Sequence, residues 1–143
     1  MIYIAIFFIW TLYLYLIHRA CHTVSFLKRI HRPHHAQIRQ NQTTHWHWTN
    51  LLLFTDTVGV TVDMWVTEII PTMVFASVTG HWWLCVLYYI WAAFFQEPFE
   101  HNLNNDFYPF TAGRWHLVHH KNLNYNYGLF LPIWDKIFRT EKY

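Results

Sequence analysis

His116-Leu117-Val118-His119-His120 packs three imidazoles into five residues near the C-terminus. In a helix, positions i, i+3 and i+4 share one face, so the three rings are expected to converge. Neutral imidazole is the commonest side-chain metal ligand, which makes the stretch a candidate half-site. The same spacing recurs at His31-Arg32-Pro33-His34-His35, and His18-Arg19-Ala20-Cys21-His22 sets two more rings one helical turn apart. A lone histidine in such a chain is more often a polar core or interfacial residue; the repeated spacing is what favours metal. Eight imidazoles exceed the four ligands that close a tetrahedral zinc site. They suit two metal ions, with positions left for water, oxygen or substrate. Iron, zinc and copper all accept imidazole, so ligand type leaves the metal open. Each ring binds while neutral, so activity is expected to fall as the histidines protonate below about pH 6.

Helices must position these rings. Residues 1–17 carry no charge and are just long enough to cross a bilayer. They lack a basic start and a small-residue cleavage site, which favours a retained membrane helix over a signal peptide. Residues 18–50 then carry Arg19, Lys28, Arg29, Arg32 and Arg39 with no acidic residue. The positive-inside rule places that side in the cytoplasm and the N-terminus across the membrane. Pro33 would disturb a helix through His31, so this cluster is expected at a helix start or break.

Residues 51–79 are largely apolar but hold Asp56, Asp63 and Glu68. Carboxylates in a span are expensive and usually face an interior. Asp56 and Asp63 share a helical face, with Glu68 roughly 120° away. Pro71 is expected to kink the far end. A turn near Gly80 reverses the chain, and residues 82–96 return. Spans at about 1–17, 51–75 and 82–96 strand only His81 at the far turn and leave the other eleven histidines on one side. The chain is thus expected to form a single domain over 1–143, an all-α integral membrane helical bundle with a histidine-rich di-metal site at its cytoplasmic face.

Composition agrees. Hydrophobic residues make up 54% of the 143 and charged residues only 13%, about half the usual globular share. A formal charge of +2 gives no footprint for nucleic acid. Twelve histidines outnumber the ten lysines and arginines together. Cys21 and Cys85 are too few for a CxxC zinc site and read as structural thiols.

HRACH at 18–22, HRPHH at 31–35 and HLVHH at 116–120, in this order, resemble the motifs of the fatty acid hydroxylase/sterol desaturase superfamily of integral membrane di-iron enzymes. The tail NYNYGLFLPIWDKIF at 124–138 resembles the ending common there, and NQTTHWHWTNLLLF at 41–54 is similar more loosely, through His47. His101 falls where relatives carry another ligand, and Glu97 where some have a histidine. The resemblance implies a metal set of His18, His22, His31, His34, His35, His101, His116, His119 and His120. His47, Glu97 and Asp56 are further candidates, as ligands or as groups that orient one. Glu97 is alternatively a plain helix-end residue. Asp56 and Asp63 alternatively bond helix to helix, which is the favoured reading for Asp63. Asn126, Tyr127 and Asp135 are expected to brace the second HxxHH.

The implied cofactors are two Fe ions (zinc in isolated protein), with O2 as co-substrate and an external electron donor, a b-type cytochrome or ferredoxin. The implied reaction is oxygen-dependent hydroxylation or desaturation of an unactivated C–H bond in a fatty acyl, sterol or sphingoid lipid. The location would be the endoplasmic reticulum of a eukaryote or the inner membrane of a bacterium. A non-catalytic membrane metal-binding protein and a degenerate family member are the rivals. A transporter would set its ligands near midplane rather than at one interface. Arg139 replaces the usual glycine after Phe138, so the closing turn is expected to differ. The short chain leaves apolar flanks that a homo-oligomer or further sequence would cover. The sequon Asn41-Gln42-Thr43 is expected on the cytoplasmic side, and so without a glycan.

Overall fold

The computed structural model describes residues 1–40, 44–102, 104 and 109–143. Every regular element among them is helical. Asn41 and its sequon lie outside the described residues. Helix α1 spans Ile2–Cys21, and α2 spans Ser25–Gln40. A 3-10 turn at Trp48–Leu52 precedes α3, which runs over Val58–Thr79. Helix α4 takes Trp83–Trp91 and continues in wider π-helical turns through Ala92–Glu100. Two short helices follow, α5 at Arg114–Lys121 and α6 at Ile133–Ile137.

The element ends follow local chemistry. Helix α1 outlasts the apolar run and carries His18 and Cys21 in its last turn, with His22 as its cap. Helix α3 begins later than the apolar pattern suggested because Thr57 caps it, its hydroxyl accepting from Val60 N–H at 3.3 Å. It stops at Gly80, whose φ of 73° ends helices at little cost in glycine. Pro71 produces a local widening: it has no N–H for the preceding turn, and Trp65–Ile69 immediately before it is π-helical. The wider turn carries Glu68 inward, where it is buried.

Pro33 neither starts nor breaks a helix; α2 runs through it. The ring fits because α3 presents Gly59 there, and a Cβ on Gly59 would lie 2.9 Å from the Pro33 Cβ. The carbonyl that loses its helical partner is that of Arg29, on the exposed side of α2.

Helices α1, α3 and α4 pack around Trp10, Leu14, Met64, Ile69, Leu84 and Tyr88, and the tail adds Leu129 and Phe130 to this core. The Trp10 indole donates to Thr72 Oγ1 at 3.2 Å, so its buried N–H is satisfied. Much of the outer surface is apolar: Ile4, Ile9 and Leu16 on α1, Met73 and Val74 on α3, and Val86, Ile90 and Phe94 on α4 are exposed. Water disfavours so continuous an apolar exterior and hydrocarbon accepts it. Ile2–Cys21 and Val58–Thr79 are each long and apolar enough to cross a membrane. At one end of the bundle, Tyr3 meets His81 and Trp83 with ring centroids 6.1 Å apart. The histidine motifs lie at the other end.

Candidate metal centre

Four segments bring nine imidazoles together. His18, His22, His31, His35 and His119 form one group, and His34, His101, His116 and His120 a second; within each, the ligand nitrogens all lie within 4.8 Å of one another. These are the nine histidines singled out in the sequence, but each HxxHH splits between groups. His31 and His35 enter the first while His34 enters the second; His116 and His120 enter the second while His119 enters the first. Helix geometry requires this. Residues i and i+4 differ by only about 40° around the axis, whereas i+3 and i+4 differ by about 100°. Three rings of one motif therefore reach two centres, not one.

Backbone and side-chain oxygens fix the ring tautomers. A carbonyl only accepts, so His18 Nδ1–H donates to Tyr127 O at 2.8 Å and His119 Nδ1–H to Tyr125 O at 2.6 Å. Both leave a bare Nε2 that is buried without a hydrogen-bond partner, as are the Nε2 atoms of His22 and His101. The His31 Nδ1 lies 3.0 and 2.9 Å from the two oxygens of Asp63. Thr44 Oγ1 donates to Glu97 O at 2.5 Å and can then accept from His101 Nδ1 at 3.4 Å. Opposed Nε2 atoms stand 3.0 Å apart in His31–His35 and 2.8 Å apart in His116–His120. Two nitrogens at right angles on one metal, each at about 2.0–2.1 Å, would be about 2.9 Å apart. The donor set, its bare nitrogens and their spacing fit two metal ions.

Burial determines the electrostatics. Loss of solvent, reinforced by neighbouring imidazoles, pushes His22 down to about 3 and holds His34, His35, His116 and His120 well below the usual imidazole range. Burial alone lowers His101 to about 3. His119 falls to about 4, burial being offset in part by its bond to Tyr125 O. Neutral rings at neutral pH are the form that binds metal.

The remaining candidates lie elsewhere. His47 is exposed and caps the 3-10 turn, its Nδ1 accepting from Thr49 N–H at 3.4 Å. Asp56 is exposed, and it is Asp63 that backs a histidine. The sequence favoured a helix-to-helix bond for Asp63 and left Asp56 as the candidate; the pairing across 32 residues is set by α2 packing on α3. Glu97 is buried but belongs to neither group. Glu100, which no sequence pattern marked, lies with Oε1 3.6 Å from His116 Nδ1. Glu68 accepts from the Tyr88 hydroxyl at 2.7 Å and from Gln96 Nε2 at 3.4 Å, joining α3 to α4 beneath the groups.

Two cavities have these histidines in their walls, and a third is walled by apolar and aromatic side chains. One of about 10 Å³ lies between the groups, walled by His18, His31, His34, His116, Glu68, Gln96 and Glu100. It is the size of about one water. One of about 350 Å³ lies beside the first group, with Lys28 and Arg32 in its wall along with His22 and His35. One of about 320 Å³ is lined by Phe7, Trp91, Phe95, Phe99, Phe110 and Phe130, with Leu87, Ile90 and Ala112.

The tail locks α5 in place. Asp135 accepts from Tyr127 N–H and Gly128 N–H and from the Thr140 hydroxyl, each at 2.8 Å. The Asn126 amide donates to Trp115 O and Lys142 O at 3.1 and 2.8 Å. Tyr15 stacks on Phe138 at 5.4 Å, and Trp134 Nε1 donates to Thr11 Oγ1 at 3.0 Å, so the tail also clamps α1. Arg139 takes φ 56°, so the closing turn keeps the left-handed conformation a glycine would adopt instead of changing course.

Residues 3–140 match the family profile described as fatty acid hydroxylase. The Delta(7)-sterol 5(6)-desaturase erg3B of Aspergillus fumigatus is 27% identical over 128 residues, covering 87% of this chain and 34% of that protein. The chain thus spans about a third of the length of this curated relative. No solved structure matches. A profile match running from Tyr3 to Thr140 takes in every histidine of both groups and the tail that fixes them: the chain belongs to the fatty acid hydroxylase family.

Proposed function

We propose that this protein is a membrane-bound, O2-dependent oxidoreductase that hydroxylates or desaturates an unactivated C–H bond of a lipid, of fatty acyl, sterol or sphingoid type. The observation that carries this is the pair of buried imidazole groups at one end of an apolar helical bundle. Two irons held there, the first by His18, His22, His31, His35 and His119 and the second by His34, His101, His116 and His120, would supply activation of dioxygen. Overall, one C–H bond, O2, two electrons and two protons give an alcohol and one water; when a second C–H bond on the neighbouring carbon is broken as well, they give an alkene and two waters. The electrons come from outside the chain, from a b-type cytochrome or ferredoxin.

The chain's own groups bind, orient and exclude. Tyr125 O, Tyr127 O and Asp63 hold three imidazoles with Nε2 bare toward the centre. The aromatic cavity is within the size range of ligand sites and takes an apolar segment. Its wall residues Phe99 and Ala112 directly precede Glu100 and Gly113, which are joined by a hydrogen bond of 3.0 Å, and His101 follows Glu100 in the chain. Lys28 and Arg32 beside the first group suit an acidic donor protein. Positive-inside placement puts this end in the cytoplasm, at the endoplasmic reticulum of a eukaryote or the inner membrane of a bacterium.

The test is lipid profiling of cells that express the chain, together with metal analysis of purified protein. About two metals per chain and a new oxygen-dependent lipid product are expected. His34→Ala and His119→Ala should abolish the product, and His81→Ala, at the far turn, should not. A protein that binds no metal under reducing, metal-replete conditions would sink the reading.

A further inference from the structure

We propose that Glu100 is the positioning residue of the second histidine group, its carboxylate accepting from His116 Nδ1–H and so turning the bare Nε2 toward the metal. This rests on the two-metal reading above. The argument starts from the first group, where the contact is short. His31 opens one HxxHH; its Nε2 faces His35 Nε2 at 3.0 Å, and its Nδ1 lies 2.9 Å from an oxygen of Asp63 on α3. His116 opens the other HxxHH. Its Nε2 faces His120 Nε2 at 2.8 Å, and its Nδ1 lies 3.6 Å from an oxygen of Glu100 at the end of α4. Motif position, the i,i+4 pairing and a carboxylate from another helix correspond in the two groups.

Hydrogen-bond accounting points the same way. His116 Nδ1 is buried without a hydrogen-bond partner; the carboxylate that faces it through Oε1 is only 2% exposed, and its other oxygen, Oε2, is likewise buried and unpartnered. A buried donor and a buried carboxylate oxygen satisfy each other at low cost and are expensive apart. A separation of 3.6 Å is slightly beyond a hydrogen bond. The cavity of about 10 Å³ that both residues line leaves room for the short movement, or for one bridging water. The frame is rigid: Gly113 N–H donates to Glu100 O at 3.0 Å, and Leu117 N–H to Gly113 O at 3.0 Å, tying the start of α5 to Glu100. Only a residue free to adopt φ 73° and ψ −131° makes that junction, and Gly113 does.

Burial alone does not define the role, because Glu97 on the same helix is also buried; it is Glu100 whose Oε1 stands 3.6 Å from His116 Nδ1. A carboxylate behind a metal-bound imidazole fixes the tautomer and raises ligand basicity, typically by about 10–100-fold in metal affinity.

The full chain in detergent is titrated anaerobically with Fe(II), and bound iron per chain is counted after gel filtration. Helical circular dichroism is recorded in parallel. Glu100→Gln should keep its helical signal, hold about one iron tightly and bind the other about 10–100-fold more weakly. Asp63→Asn should do the same to the other iron, so the double variant should hold neither tightly. Glu100→Asp should recover most of the lost affinity, and Glu97→Gln should match the parent. Parental affinity for both irons in Glu100→Gln would overturn the proposal. So would a double variant no worse than either single one, or equal loss in Glu100→Asp and Glu100→Gln. A parent chain that binds no iron would instead remove the two-metal reading on which the proposal stands.

Discussion

Burial sets the protonation state of the histidines, and that changes the pH dependence expected from the sequence. A free imidazole titrates near 6.5, and an exposed cluster would release metal below about pH 6. In the fold, His22 and His101 sit at about 3 and His119 at about 4. Between about 6.5 and these values the unfolded chain binds protons that the native site refuses. Stability is therefore complete above the unfolded value and falls with decreasing pH, by about 1.4 kcal/mol per pH unit for each such histidine. Metal release and unfolding are expected in one transition below pH 6, followed by circular dichroism and a chelator dye together. Metal leaving at pH 6 from a chain that stays folded would contradict this. The histidines that gather into the two groups were legible because HxxHH repeats in sequence. The carboxylates behind them were not: Asp63 meets His31 across 32 residues. Glu100 precedes His101 with nothing local to distinguish it from Glu97.

At the scale of elements, the loop from Asn126 to Thr140 carries more strain and more hydrogen bonds than its length suggests. Asp135 is fully buried and accepts from two backbone N–H groups and one hydroxyl. Asp135→Ala strands those donors, each costing about 1–3 kcal/mol, so a loss of about 3 kcal/mol or more is expected in thermal or denaturant unfolding. Gly128 admits no side chain, since a Cβ there would stand 2.6 Å from Leu131 O. Arg139 has the opposite sign. Its φ of 56° strains any residue with a Cβ by about 1–2 kcal/mol, against about 0.5–1 kcal/mol of extra unfolded-state freedom for glycine. Arg139→Gly should therefore raise stability by up to about 1 kcal/mol, read as an increase in midpoint temperature; a fall would show that the arginine side chain outweighs the strain. The turn was misread from sequence because the missing glycine was taken to alter the path. Asn126 N–H to Thr140 O at 2.7 Å and Thr140 N–H to Asp135 O at 2.8 Å hold the path regardless. Pro33 was misread for a related reason: its tolerance depends on Gly59 of a different helix.

For the whole molecule, the all-helical architecture was legible from apolar run lengths, which need no long-range knowledge. The start of α3 was not, because Thr57 and the 3-10 turn before it interrupt a stretch that is largely apolar on both sides. What the bundle does with its two ends decides the orientation. Tyr3, His81 and Trp83 mark one end, and no Lys or Arg occurs before Arg19 or between Arg39 and Arg114. Every cation of the chain therefore falls in segments that start or finish at the histidine end. Each Lys or Arg moved across the membrane during insertion is costly, so the histidine end should be cytoplasmic. Two positions report on this in a chain whose own thiols, Cys21 and Cys85, are replaced by Ser. Thr23 is exposed just beyond α1 at the histidine end, and Trp82 is 54% exposed at the far turn. In intact cells expressing the chain at an outer boundary membrane, an impermeant maleimide should label Trp82→Cys and spare Thr23→Cys. Inverted vesicles should reverse the pattern. Labelling of Thr23→Cys from outside, or a glycan on Asn41 of the parent chain, would place the histidine end across the membrane and cut the metal centre off from any cytoplasmic electron donor.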